Sequence, residues 1–441
     1  MTIMSKAESS STIVALSSGN GRAGVAVLRM SGPEVRFVLE TIAGGVPSAR
    51  EASLRRVRDR DGDVIDSGLV LFFPAPHSFT GEDVAEFQVH GSRAVLARLL
   101  ALLTSHHGVR LAEPGEFTRR AFEAGKLDLA AVEGLADLID SETEWQRQQA
   151  LRQMDGALSA MSAGWRRSLI EAMALLAAEL DFSDEGDVEG PLVQQAEAMA
   201  AAILSELRAA LGSFRMGERV RDGFVVVLAG APNAGKSSLL NALARRDVAI
   251  VSPVAGTTRD AIEVRLDLAG LPVVLIDTAG LRDTQDAIEA EGVQRAQALI
   301  DRADLVLSLR AVDSAPERPA AVDAAVLAIA TKADLPGKVL AGELAVSVLS
   351  GAGLDALLEA IQLKLGALVQ AEPALLTRER HRVAVSDAIA ALERAIGNRH
   401  GQAELVAEDL RLAVVALERL VGRIGVEDVL DQLFAGFCIG K

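Results

Sequence analysis

The sequence predicts a multidomain fold: an α+β N-terminal domain, then a discontinuous all-α helical domain, with an α/β domain inserted into the helical one. Three observations predict it. Residues 12–124 mix short β-rich runs with short helices. Leu129, Val132, Leu135, Leu138 and Ile139 then recur at helical spacing, and long stretches to about 216 lack strand alternation. Residues 218–366 alternate strand-like with helix-like segments, the pattern of a parallel sheet, and the chain is helical again after Pro373. Pairing the two helical stretches makes the α/β module an insertion, which close domain termini tolerate. The expected boundaries are 1–125, 126–216, 217–368 and 369–441.

Taken in order, residues 1–11 are Ser-rich and expected to fray. Strands are expected at 12–16 and 24–31, joined by the turn-rich Ser18-Gly19-Asn20-Gly21-Arg22. A short helix should start at Pro33, a favoured first helical residue. Further strands follow at 53–58, 68–73 and 84–90, and helices at 92–106 and 114–124. A helix over 144–180 and another over 192–212 flank an acidic break at Asp181 to Asp187. That break lacks the ligand spacing of an EF-hand, so it reads as a solvated loop. In the last stretch Val383, Ile389, Leu392 and Ile396, then Leu405, Leu412, Val415 and Leu420, mark apolar helix faces.

Composition narrows the partners. Half of the 441 residues are hydrophobic and 24% charged, which supports packed cores over global disorder. There is no Tyr and aromatics are 3%, leaving few rings on which bases could stack. The net charge of −16 opposes holding a phosphate backbone alone. Arg50, Arg55, Arg56, Arg58 and Arg60 form a local basic cluster, read more simply as a solvated edge strand and loop. A single cysteine, Cys438, fits a reducing compartment. No leader and no membrane-length apolar run is evident, so a cytoplasmic protein is expected.

The chemistry centres on Gly230-Ala231-Pro232-Asn233-Ala234-Gly235-Lys236-Ser237, which matches G-x-x-x-x-G-K-[ST]. It follows the apolar, β-branched Phe224 to Ala229 and precedes the helix-forming Ser238 to Leu243. Glycines at a strand-to-helix turn let backbone N–H groups and the helix dipole cradle phosphates. Lys236 would reach the β- and γ-phosphates, and Ser237 would ligate Mg²⁺. Four further elements follow in order. Gly256-Thr257-Thr258 supplies a second threonine hydroxyl for Mg²⁺. Leu275 to Gly280 is a strand ending in D-x-x-G, where Asp277 can hold a metal-bound water and the Gly280 N–H can sense the γ-phosphate. Thr331-Lys332-Ala333-Asp334 follows an apolar strand at 326–330; the acceptor-only Asp334 carboxylate suits the N–H edge of guanine and not adenine. Ser347-Val348-Leu349 opens the last nucleotide loop. The inserted domain therefore reads as a P-loop GTPase domain. Leu281 stands where Ras-like enzymes place a water-positioning glutamine, so hydrolysis must use another group. The Asn233 oxygen can bind a monovalent cation beside the phosphates; Arg259 competes for that role but reads as a surface charge.

Taken with Gly24 to Gly32, Thr80-Gly81-Glu82-Asp83, Pro114-Gly115-Glu116-Phe117, Gly125-Lys126-Leu127-Asp128 and the ending Phe437-Cys438-Ile439-Gly440-Lys441, these motifs are the landmarks of one family. The chain resembles, essentially from end to end, the bacterial tRNA-modification GTPases usually called MnmE or TrmE. The resemblance implies an N-terminal folate-binding and dimerising domain and a homodimer whose G domains approach across K⁺. It also implies an FAD-containing partner, MnmG or GidA, in a heterotetramer with tRNA held mainly by that partner. The implied reaction places an aminomethyl or carboxymethylaminomethyl group on carbon 5 of the wobble uridine, with methylenetetrahydrofolate as one-carbon donor. By motif matching, GTP contacts fall to Asn233, Ala234, Gly235, Lys236, Ser237, Ser238, Ser252, Thr257, Thr258, Asp277, Thr278, Ala279 and Gly280, then Thr331, Lys332, Asp334, Ser347, Val348 and Leu349. Mg²⁺ falls to Ser237 and Thr258, and K⁺ to Asn233, Ser252, Val254 and Thr257. The water-orienting acid maps to Glu289, and the tetrahydrofolate site to Arg29, Glu86, Lys126 and Lys441. Cys438 is either a participant in one-carbon or uridine chemistry or a small buried hydrophobe.

Three departures stand out. Thr331 replaces the usual asparagine, losing an amide that ties loops together, although its hydroxyl can bond locally. Val348 replaces an alanine whose contribution is its backbone N–H, and Ser252 a threonine. The rival function is a regulatory or ribosome-assembly GTPase switch without modification chemistry. The folate-like N-terminal domain and the Cys438 to Lys441 ending argue against it.

Overall fold

A computed structural model describes residues 11–19, 21–182, 191–250, 263–277, 297–315, 325–369, 374–397, 403–424, 427–437 and 440. The chain divides into two compact units, one of residues 1–136 with 421–441 and one of residues 137–420.

In the first unit, β1 (Thr12–Leu16), β2 (Ala23–Ser31), β3 (Ser53–Arg58), β4 (Val64–Phe73), β5 (Val84–Gly91) and β6 (Val109–Leu111) form one sheet in the order β3-β4-β5-β2-β1-β6. Only the β1–β6 pairing is parallel. Alternation along the strands gives the sheet two different faces. Val14, Leu28, Met30, Val70 and Phe87 point to one face and are covered by α1 (Val35–Ile42) and α2 (Arg93–Thr104). Ile13, Ala15, Ala112 and Phe117 form a smaller cluster, with Phe117 supplied by α3 (Glu116–Glu123). The end of the chain folds back here. Phe434 and Phe437 pack on Val132 of α4 (Leu129–Ile139), and Ser17 Oγ donates to the Gly440 carbonyl at 2.9 Å.

The second unit joins four long helices to the inserted module. These helices are α6 (Ala157–Phe182), α7 (Pro191–Gly212), α11 (Glu379–Gly397) and α12 (Ala403–Leu420). They pack through small and aliphatic side chains such as Leu169, Ala172, Ala200, Leu207, Ala388, Leu392, Ala413 and Leu417. The expected single helix over 144–180 is two helices, α5 (Glu144–Met154) and α6. The break falls at Gly156, whose φ of 86° lies in the left-handed region that L side chains avoid. Among the described residues no helix is long and apolar enough to cross a membrane.

The inserted module holds β7 (Phe224–Gly230), β8 (Glu263–Leu268), β9 (Leu271–Asp277), β10 (Leu305–Ala311), β11 (Ala325–Thr331) and β12 (Leu344–Ala345) in the order β12-β11-β10-β7-β9-β8. All pairings are parallel except β8 with β9. α9 (Lys236–Leu243) and α10 (Leu354–Gly366) bury Leu239, Leu240, Leu243, Leu357 and Ile361 against the sheet. The chain enters the module through α8 (Phe214–Asp222).

α5 ties the entry and the exit of the module together. A capping box at Thr143 and Gln146 starts it. Gln146, Gln149 and Gln153 then share one buried face. Gln146 Nε2 donates to the Arg221 carbonyl at 2.9 Å, on α8. Gln149 Nε2 bridges the Gly217 carbonyl at 3.2 Å and the Ala374 carbonyl at 3.1 Å, one on each side of the insertion. Leu in place of Gln149 leaves both carbonyls without that donor, and should cost about 1–3 kcal/mol. A thermal unfolding midpoint unchanged in Gln149→Leu by calorimetry would contradict this account of the junction.

Candidate nucleotide-binding site

β7 occupies the middle of the parallel sheet, between β9 and β10, so its C-terminal end opens at the sheet's carboxyl edge. Gly230, the last residue of β7, has φ 151°, and a Cβ there would collide with the Leu309 carbonyl of β10. The chain turns through Asn233, in the left-handed region at φ 65°, and Gly235 at φ 88° caps α9. Backbone N–H groups at the start of α9 therefore converge with the positive end of its dipole on one concavity.

Lys236 is buried, and its Nζ donates to the carbonyls of Gly230 at 2.8 Å and Ala231 at 3.0 Å. Register sets Leu228 of β7 beside Asp277 of β9, which brings that fully buried carboxylate to the loop. Ser237 Oγ donates to Asp277 Oδ2 at 2.5 Å. A hydroxyl and a carboxylate in contact are hard oxygen donors of the kind magnesium takes. Ser238, one residue further, is exposed.

The base-side residues come from the ends of β11 and β12. Lys332 adopts φ 55°, and Ser347 Oγ donates to Asp334 Oδ1 at 2.5 Å, fixing the carboxylate. Leu349 is exposed and Val348 partly so. The Thr331 hydroxyl, expected to bond in place of the lost amide, does so. It is buried and donates to the Ala234 carbonyl at 2.7 Å, with the Arg310 carbonyl 3.3 Å away, so threonine joins the base loop to the P-loop. Ser252, Val254, Thr257, Thr258, Thr278, Ala279, Gly280 and Glu289 lie outside the described residues, as do Arg259 and Leu281.

A second cluster sits in the first unit. Antiparallel register sets Arg29 of β2 opposite Glu86 of β5, and the two form an ion pair at 2.9 Å. The Arg29 guanidinium also lies 5.5 Å from the Phe79 ring centre and 5.9 Å from that of Phe117. Neither aromatic was singled out from the sequence, although Phe117 closes the Pro114 to Phe117 motif and Phe79 precedes Thr80 to Asp83. Lys126 Nζ donates to the Pro76 carbonyl at 2.6 Å. Cys438 and Lys441 lie outside the described residues. Glu82 and Glu116 of the same motifs join a half-buried polar network: Arg120 meets both Glu82 and Glu116, and Arg110 meets Glu116. Burial pushes the Glu116 carboxyl up, but Arg110, the Glu113 N–H and Arg120 outweigh it and hold it below its ordinary value.

Fold and site together define a P-loop nucleotide-binding protein. Residues 12–126 match the family model of the GTP-binding protein TrmE N-terminus, and residues 129–438 that of the MnmE helical domain. A relative from Methylorubrum populi, named tRNA modification GTPase MnmE, is 56% identical over 98% of this chain and 98% of its own length. Relatives of the same name from Methylobacterium radiotolerans and Beijerinckia indica are 54% and 53% identical, covering 98% and 99% of this chain and 99% and 98% of their own lengths. The chain belongs to the MnmE (TrmE) family.

Val in place of Thr331 keeps the shape but leaves the buried Ala234 carbonyl without its donor, and should destabilise the module by about 1–3 kcal/mol. Thr331→Ser, which keeps the hydroxyl, should recover most of that loss. Equal calorimetric midpoints for the two variants would contradict the tie.

Proposed function

We propose that this chain hydrolyses GTP and couples hydrolysis to modification of the wobble uridine of certain tRNAs, adding an aminomethyl or carboxymethylaminomethyl group at carbon 5. One observation carries the reading. Lys236, Ser237 and Asp277 converge at a P-loop in a chain whose relatives, 49–56% identical over nearly their full length, bear the name tRNA modification GTPase MnmE.

In this reading Lys236 exchanges its two backbone carbonyls for the β- and γ-phosphate oxygens. Ser237 with Thr258 would hold Mg²⁺, and Asp277 a water bound to it; the metal would supply positive charge against the phosphates. Asn233, exposed on the loop, offers an amide oxygen suited to K⁺, with Ser252, Val254 and Thr257 as its companions. When bound, that ion supplies the positive charge an arginine finger supplies elsewhere. Glu289 orients the attacking water, and Asp334 reads guanine.

Arg29, Glu86, Lys126 and Lys441 would hold a tetrahydrofolate derivative. A partly exposed cation and carboxylate beside two aromatic rings fit a ligand with an acidic tail and a hydrogen-bonding pterin. Cys438 joins that site. The chain acts as a cytoplasmic homodimer with an FAD-dependent partner, MnmG, which carries most of the tRNA contact.

Two measurements test the proposal. A strain lacking the protein should lose the wobble modification by mass spectrometry of its tRNA, and regain it with the native chain but not with Lys236→Ala; intact modification in the deletion would overturn the assignment. GTP hydrolysis should run about tenfold or more faster in potassium than in sodium chloride at equal ionic strength, the worth of roughly 1.4 kcal/mol of barrier. Equal rates would remove the cation from the mechanism.

A further inference from the structure

The segment that carries Lys332 and Asp334 forms neither strand nor helix between 332 and 343. Its backbone bonds are two short-range ones, from the Leu335 N–H to the Lys332 carbonyl and from the Glu343 N–H to the Leu340 carbonyl, and one at its near end from the Ala333 N–H to the Val346 carbonyl at 3.1 Å. A side chain of the neighbouring strand supplies what those bonds do not. Arg310 of β10 meets Glu343 as a two-bond fork, Nε to Oε1 at 2.8 Å and Nη2 to Oε2 at 2.6 Å. The same guanidinium donates to the carbonyls of Lys338 at 2.8 Å, Ala311 at 3.1 Å and Ser314 at 3.1 Å. Glu343 Oε2 in turn accepts the Leu340 N–H at 2.8 Å.

Both side chains are only 10% exposed. Each stabilises the other's charge: the Arg310 bonds hold the Glu343 carboxyl below its ordinary value, and Glu343 raises that of Arg310. A fork this buried loses much of its Coulombic gain to desolvation, so net stability is a weak reason for it. Geometry is a better one. Two of its acceptors, the Lys338 carbonyl and the Glu343 carboxylate, lie at the middle and far end of the segment.

We propose that Arg310 and Glu343 are a positioning pair for guanine recognition, holding the 332–343 segment where the Asp334 carboxylate meets the base edge. This rests on the base-site reading given above, in which Asp334 reads guanine. Ser347 fixes the carboxylate itself, the Ala333 N–H holds the backbone before it, and the fork holds the segment after it.

The experiment uses the full chain with magnesium, competing unlabelled diphosphates against a fluorescent GDP analogue. Asp334→Asn should shift preference from GDP to xanthosine diphosphate; an unchanged preference removes the base site, and the proposal with it. Given that shift, Glu343→Gln and Arg310→Met should lose about tenfold in affinity for GDP, the worth of a charge-assisted hydrogen bond. They should lose less for inosine diphosphate, which keeps the N1–H but lacks the 2-amino group, one of the two donors to the carboxylate. Equal losses for the two nucleotides, or none, overturn the positioning role. Should Arg310→Met not fold, Glu343→Gln decides alone, since its amide keeps the shape and an acceptor for Leu340. Hydrogen exchange gives a second readout: amides of 332–343 should exchange faster in Glu343→Gln while β10 and β11 keep native rates. Unchanged protection of that segment overturns the proposal.

Discussion

The constraint on which the rest depends is the contact between Gly230 and the Leu309 carbonyl, where the central strand leaves the sheet. Backbone this close to a neighbouring strand leaves no room for a side chain, so the loop turns at once into α9 and its N–H groups face a common centre. The parallel pairing on both sides of β7 holds that crossing rigid. Cradling a phosphate by backbone dipoles works only if they are oriented beforehand, because reorganising them would consume the interaction.

The other parts of the site are attached to this crossing. Asp277 arrives through strand register, Lys236 is held by the loop's own carbonyls, and the base loop is pinned by one threonine hydroxyl. α5 works on the opposite side of the module, where its glutamines satisfy the carbonyls of the incoming and outgoing chain. α5 also touches the module directly, since the Trp145 backbone N–H donates to the Gly270 carbonyl in the β8–β9 turn at 3.2 Å. β9 ends in Asp277, so a single strand connects the helical part of the unit with the carboxylate that meets Ser237.

How much of this was legible in the sequence depended on the range of each interaction. The P-loop was legible because its glycines, lysine and serine act through local spacing, and β7 and α9 flank it as expected. The strands of the first unit were legible by alternation, with β4 starting earlier than expected, at Val64, and the three-residue β6 missed. Thr331 could not be judged locally, because its acceptor lies 97 positions away. The glutamines of α5 are polar at helical spacing, which looks like a solvated face until the two chain crossings they serve are known. Arg29 and Glu86 each look like surface charges, and only antiparallel register sets one opposite the other. The helix break at Gly156 is not legible locally, because a lone glycine is tolerated inside a helical pattern.

The central claim is that this crossing, completed by Asp334, binds guanine nucleotides and not adenine nucleotides. Isothermal titration of the purified chain with GTP and with ATP, each in excess magnesium, tests it most directly. The account predicts one GTP bound per chain, with ATP weaker by at least about a thousandfold, since adenine leaves the carboxylate's bonds unmade. Comparable affinities for GTP and ATP, or no heat of binding with either, would contradict it.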